Sequence, residues 1–253
     1  MSSTVFYNKL DVPRASRESP DRPIELEEES EILKALLDIM YPGTHFNAGV
    51  GPSFTFYKSL CMAAKKYDIP AALGLVRSLV PAAGRRFPPI LVYGLMYELG
   101  WEEEMKVAST QTLGYDLLST DLELQNQLSL CDRRAVTRLM MFHRSRRVQL
   151  IEALNFEDLG NSSFWYSVAT CGHLPPALSL KGFLFLSKEM DNCPSGDSLR
   201  TRPFFFESKL LEELWTQKCS RINIYCSSNS AIINKEKLIS RIVEELDKPP
   251  KTI

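Results

Sequence analysis

No apolar run in this 253-residue chain approaches the roughly 18 residues that a membrane span needs. The best, Gly182-Phe-Leu-Phe-Leu, stops at Ser187. The start, Met1-Ser-Ser-Thr-Val-Phe-Tyr-Asn-Lys, lacks the basic stretch and apolar core of an export signal. Charge of one sign is missing too. With 30 basic against 31 acidic residues the net charge is -1, which gives nucleic acid or an anionic bilayer no global attraction. Histidine is scarce: His45, His143 and His173 are all there is. No Gly-x-Ser-x-Gly elbow, phosphate-binding glycine loop or dinucleotide fingerprint appears, nor any fixed-period repeat. Together these absences predict a soluble protein of the cytoplasm or nucleus that needs no cofactor and binds rather than catalyses.

What is present is ordinary globular material, 44% hydrophobic and 24% charged, enough to bury a core without staples. The six cysteines are scattered along the chain, and a reducing compartment would keep them as free thiols.

Residues 11–23, with three prolines and little apolar content, read as a loop. Pro23-Ile-Glu-Leu-Glu then alternates apolar and polar, which predicts an edge strand over 23–27 with Ile24 and Leu26 facing inward. From Ser30 the period changes to that of a helix: Ile32, Leu33, Leu36, Leu37 and Met40 share one face, and Pro42-Gly43 ends it. A second helix starts after Ser53 with Phe54, Tyr57, Leu60, Cys61 and Ala64 as its stripe, and a third near Pro70. Beyond a boundary at 81–89 come helices over 90–99 and 101–113, then a longer one capped by Asp132 with Val136, Leu139, Met140, Leu150, Ile151 and Leu154 along one side. Residues 160–200 give no clear pattern; helices resume over 203–217 and 235–247, the latter capped by Asn234.

Three stretches carry a resemblance: Pro23-Ile-Glu-Leu-Glu-Glu-Glu-Ser-Glu-Ile-Leu-Lys-Ala-Leu-Leu-Asp-Ile-Met-Tyr-Pro, Ala63-Ala-Lys-Lys-Tyr-Asp-Ile and Ala72-Leu-Gly-Leu-Val-Arg. In this order they resemble the second half of a BTB/POZ domain in the style of the large fungal BTB-domain family. Leu91-Val-Tyr-Gly-Leu-Met-Tyr-Glu-Leu-Gly-Trp-Glu-Glu-Glu resembles the helical extension that follows it. The resemblance implies a mainly α protein: a partial BTB/POZ fold of edge strand plus helices at 1–80, a helical extension at 86–155, and a loop-rich helical region at 160–253. The strands and helix that open a complete BTB domain have no counterpart here, so the expectation is a truncated domain or one whose sheet a partner completes. The function implied is a protein-interaction module, self-associating or acting as an adaptor, with a cullin-type ubiquitin ligase scaffold as one partner class. Contacts would run along the helix faces before residue 80, with Phe54, Tyr57, Tyr67 and Arg77 as candidates; the ordinary alternative places such aromatics in the core.

Two further constellations bear on chemistry. Cys171, His173, Cys219 and Cys226, with Cys193 nearby in sequence, are of the residue types zinc prefers. The six residues between Cys219 and Cys226 and the Cys-x-His spacing depart from usual ligand pairs, and inert buried thiols are the simpler reading. Arg133, Arg134, Arg138, Arg144, Arg146 and Arg147 form the densest run of one charge, four of them within an arc of roughly 140° on a helical wheel. A solvated helix face is the plain account. The competing function is a metal-stapled regulatory or nucleic-acid-binding protein that uses the helix 133–147, though Phe142 is the only aromatic residue within it.

Overall fold

A computed structural model describes residues 25–41, 53–82, 86–154, 163–170, 176–201, 208–219 and 231–253. The chain divides into two compact units, Met1–Leu95 and Met96–Ile253. Both are helical, and no regular strand occurs among the described residues.

In the first unit, α1 (Ser30–Met40), α2 (Phe54–Lys66) and α3 (Pro70–Ala82) contact one another pairwise. Each buries the face its period predicts: Ile32 and Leu36 from α1, Tyr57, Leu60, Cys61 and Ala64 from α2, Ala72, Val76 and Val80 from α3. Ser53 caps α2, its hydroxyl accepting from the Phe56 N–H at 3.1 Å. The division between units falls within α4 (Pro89–Leu99), a helix with little polar face whose Ile90, Val92, Tyr93, Leu95 and Met96 are all buried.

The edge strand expected over 23–27 does not form at residues 25–27, which run as irregular backbone into α1; residues 23 and 24 lie outside the described ones. A strand exists only by backbone pairing, and residues 25–27 form no bridge with another segment among the described residues. The side chains of Glu27 and Glu28 turn instead to α2 and its C-terminal cap. Lys66 Nζ bonds Glu27 at 2.8 Å and Glu28 at 2.7 Å, and the Tyr67 hydroxyl donates to Glu28. The residues of the expected 11–23 loop also lie outside the described residues.

The second unit contains α5 (Glu102–Thr112), α6 (Leu122–Ser129), α7 (Arg133–Ala153), α8 (Ser163–Val168), α9 (Pro176–Asn192), α10 (Asp197–Arg200), α11 (Glu212–Thr216) and α12 (Lys235–Asp247). Helix α9 packs on α7, α10, α11 and a 3-10 turn at Lys209–Leu211, while α12 packs on α7, α8 and α10. One apolar cluster joins them, including Leu150, Phe164, Trp165, Phe185, Met190, Trp215, Ile239 and Leu246. Residues 160–200, unreadable by period, thus hold a 17-residue helix. Its apolar residues are spread around the axis: Leu178, Phe185, Leu186 and Met190 are buried, whereas Leu180 and Leu184 are exposed. Of the helix expected over 203–217, only residues 209–216 are described and helical. Two isolated antiparallel bridges, Ala169 to Ile233 and Lys218 to Ala231, thread the chain beside α12.

Candidate functional site

Helix α7 organises the most distinctive surface of the second unit. Its start is fixed by Asp132, whose side chain accepts from the backbone N–H groups of Arg134 at 2.7 Å and Ala135 at 3.3 Å. The helical period then sorts the arginines into different environments. Arg146 falls on the face of Ala135, Leu139, Phe142 and Leu150 and is 1% exposed. Its Nε donates to the Pro194 carbonyl at 2.9 Å, Nη1 to Pro250 at 2.7 Å and Pro249 at 3.4 Å, and Nη2 to Leu246 at 3.5 Å. Burial, with the Arg200 charge adding to it, lowers its pKa from the ordinary value. Arg146 therefore leaves the solvated face that the sequence assigned it: a guanidinium can donate to several carbonyls at once, and carbonyls from distant segments converge there.

Arg147 is held by Ser187 (Nη2 to Oγ, 2.8 Å) and Asp191 (3.0 Å), and Arg138 lies 3.7 Å from Glu102 with Nη1 3.8 Å from Met105 Sδ. The side chains of Arg133, Arg134 and Arg144 are exposed and have no ion pair or hydrogen bond among the described residues. Between them on the outer face stand Met140 and Met141, the latter 67% exposed. The expected apolar stripe of α7 is thus corrected at Met140. Burial follows Leu139, Phe142, His143 and Arg146, which leaves Met140 at the rim.

Beside this face lies a cavity of about 320 Å³ lined by Leu118, Met140, Met190, His143, Arg144 and Asp116, among others. Farther toward the helix start, Arg133, Arg134, Thr137, Arg138 and Met141 line a shallower depression. Leu118 is 79% exposed, as is Leu122, and Leu130 also projects to solvent. This stretch before α7 carries no periodic signal strong enough to mark it.

His143 bonds Thr112 through Nε2 at 3.0 Å. Thr112 Oγ1 gives its own proton to the Ser109 carbonyl at 2.7 Å, so the imidazole Nε2–H must be the donor between them. Burial, with Arg146 adding to it, pushes the His143 pKa down to about 4, and the ring is neutral near pH 7. A neutral, committed imidazole shapes the cavity wall.

The residues singled out in the first unit are not brought to one surface. Tyr57 and Tyr67 are buried in the core. Phe54 is half-buried, edge-on to Phe87 at 5.7 Å, and Arg77 is exposed on α3. Of the cysteine and histidine set, Cys171, His173 and Cys226 lie outside the described residues, as do His45 and the Phe204-Phe205-Phe206 run. Cys219 is buried in the apolar cluster, and Cys193 Sγ lies 3.0 Å from Ser195 Oγ. Among the described residues no three His, Cys, Asp or Glu side chains gather closely enough to hold a metal ion, and no helix is long and apolar enough to cross a membrane.

Against known proteins the chain stands apart: no family model, no curated protein and no solved structure matches it.

Proposed function

We propose that this chain is a protein-interaction module that acts by binding, in keeping with its sequence resemblance to the second half of a BTB/POZ domain. The observation that carries the reading is the outer surface of α7 with Leu118 beside it. There Leu118, Met140 and Met141 are exposed beside guanidinium groups that have no acidic partner among the described residues. Leaving large apolar side chains in water forgoes burial worth about 1.5–3 kcal/mol each, so such a group on one surface is characteristic of an interface. The function includes self-association or adaptor activity, with a cullin-type ubiquitin ligase scaffold as the partner class the resemblance suggests.

Size-exclusion chromatography with light scattering, over a range of protein concentrations, tests self-association. A dimer supports the module reading. A monomer at every concentration, together with no affinity for a purified cullin-type scaffold, would remove the BTB-type reading.

A further inference from the structure

We propose that the solvent face of α7 is a docking site for an acidic, amphipathic protein segment. Its apolar side chains would rest on Leu118, Met140 and Met141, and its carboxylates would pair with Arg133, Arg134 and Arg144. The inference rests on the interaction-module reading and names the chemistry of the partner.

The charge pattern comes first. From Arg133 to Ile151 the helix carries no acidic residue. The carboxylates nearby are committed: Asp132 to its own helix start, Asp116 to the Leu118 N–H at 2.9 Å, Asp191 to Arg147, Glu102 toward Arg138. Three guanidinium groups on one face are left to an external anion, and Arg is suited to paired bonds with carboxylates. The twelve residues from Arg133 to Arg144 span about 16 Å of helix axis, roughly three turns of a docked helix.

The apolar pattern decides between kinds of partner. Methionine is flexible and polarizable and makes adaptable contact with apolar side chains, while the 320 Å³ cavity at Leu118 and Met140 could admit an anchor residue. A single-stranded nucleic acid would want aromatic rings to stack on. The one ring within the helix besides His143 is Phe142, and it is buried. Arg146 is buried as well, which removes one positive charge from the solvent face. These features favour an acidic peptide over a phosphate backbone.

The test uses the full chain and a fluorescein-labelled synthetic helix with Leu and Phe on one face and Glu and Asp on the other. Anisotropy should show saturable binding that weakens as salt rises. Binding should fall by about tenfold or more in the Arg133→Glu/Arg134→Glu/Arg144→Glu variant and clearly in Met140→Ser/Met141→Ser, with an unchanged thermal midpoint in both. A peptide with its Leu and Phe replaced by Ser, or its acids by Lys, should bind poorly. The proposal is overturned by absent saturation, by equal binding of the Ser peptide, by unaltered binding in either variant, or by a labelled single-stranded oligonucleotide displacing the peptide. If the peptide fails while light scattering still shows self-association, or while a cullin-type scaffold still binds, only this inference falls; failure of all three removes the module reading with it.

Discussion

Arg146 Nε donates to the carbonyl oxygen of Pro194 at 2.9 Å, inside a core where the arginine is 1% exposed. The same guanidinium reaches the carbonyls of Leu246, Pro249 and Pro250, so one side chain of α7 ties together the turn before α10 and the segment that follows α12. Charge here serves assembly. Proline carbonyls suit this role because proline lacks an N–H and its segment cannot satisfy itself by regular pairing.

Replacing Arg146 with Met keeps much of the volume but leaves those carbonyls without a donor. The expected loss is about 3 kcal/mol, the scale for deleting one side of a buried charged hydrogen-bond set. Arg146→Lys should fall between, since one ammonium cannot reach both the Pro194 and Pro250 positions in the same geometry. Urea unfolding followed by tryptophan fluorescence reads this unit selectively, because Trp101, Trp165 and Trp215 all belong to it. A Met variant as stable as the parent would show that the carbonyls find water instead.

His143 predicts an acid sensitivity. Its folded pKa of about 4 lies below the ordinary value of 6.5, so the unfolded chain takes up the proton more readily. Its contribution is fully present above pH 6.5 and is lost as the pH falls toward 4, below which the loss levels off. At about 1.4 kcal/mol per unit the total is about 3 kcal/mol. His143→Gln, whose amide can still donate to Thr112, should flatten the stability profile between those limits. An unchanged slope would assign the acid loss to carboxylates.

Local chemistry made much of the fold legible. Ser53, Asp132 and Asn234 were readable as helix caps because capping needs only a side-chain oxygen and the next turn of backbone; Asn234 Oδ1 does accept from the Lys237 N–H at 3.0 Å. The edge strand was not foreseeable either way, since alternation at Glu25, Leu26 and Glu27 says nothing of whether another strand is there to pair. Helix α6 is only 8 residues long and buries Leu124 and Leu128, too little for a period to show. The site was legible in composition and hidden in placement. The arginine run could be seen, but which member turns inward depends on Pro194 and Pro250, 48 and 104 residues away.

Two glycines should respond to alanine with opposite signs. A Cβ on Gly182 of α9 would stand 2.6 Å from the Trp165 ring, whose side chain is itself fixed in the core. Overpacking of this kind costs about 1–3 kcal/mol, against a helix-propensity gain of about 1 kcal/mol. Gly182→Ala should therefore lower the thermal midpoint. Gly74 of α3 has nothing within 4 Å of its would-be Cβ, so Gly74→Ala should gain about 0.5–1 kcal/mol. Matching shifts in the two variants would mean that the Trp165 ring yields freely.

The first unit offers a test confined to the start of α1. The Glu28 carboxylate is pushed up by burial but, more strongly in sum, held below its usual range by hydrogen bonds from Lys66 and Tyr67. It therefore stabilises the fold above the ordinary carboxylate pKa of 4.5, and that contribution fades as the pH falls below it. Tyr67→Phe removes one of these bonds and leaves the buried ring in place, with an expected cost of about 1 kcal/mol at neutral pH. The effect should be local. Hydrogen exchange over 25–41 should quicken while tryptophan fluorescence from the second unit stays put. As the pH falls below 4.5 and through the lowered pKa of Glu28, the difference between Tyr67→Phe and the parent should shrink. A pH-independent difference would show that the hydroxyl acts through something other than this carboxylate.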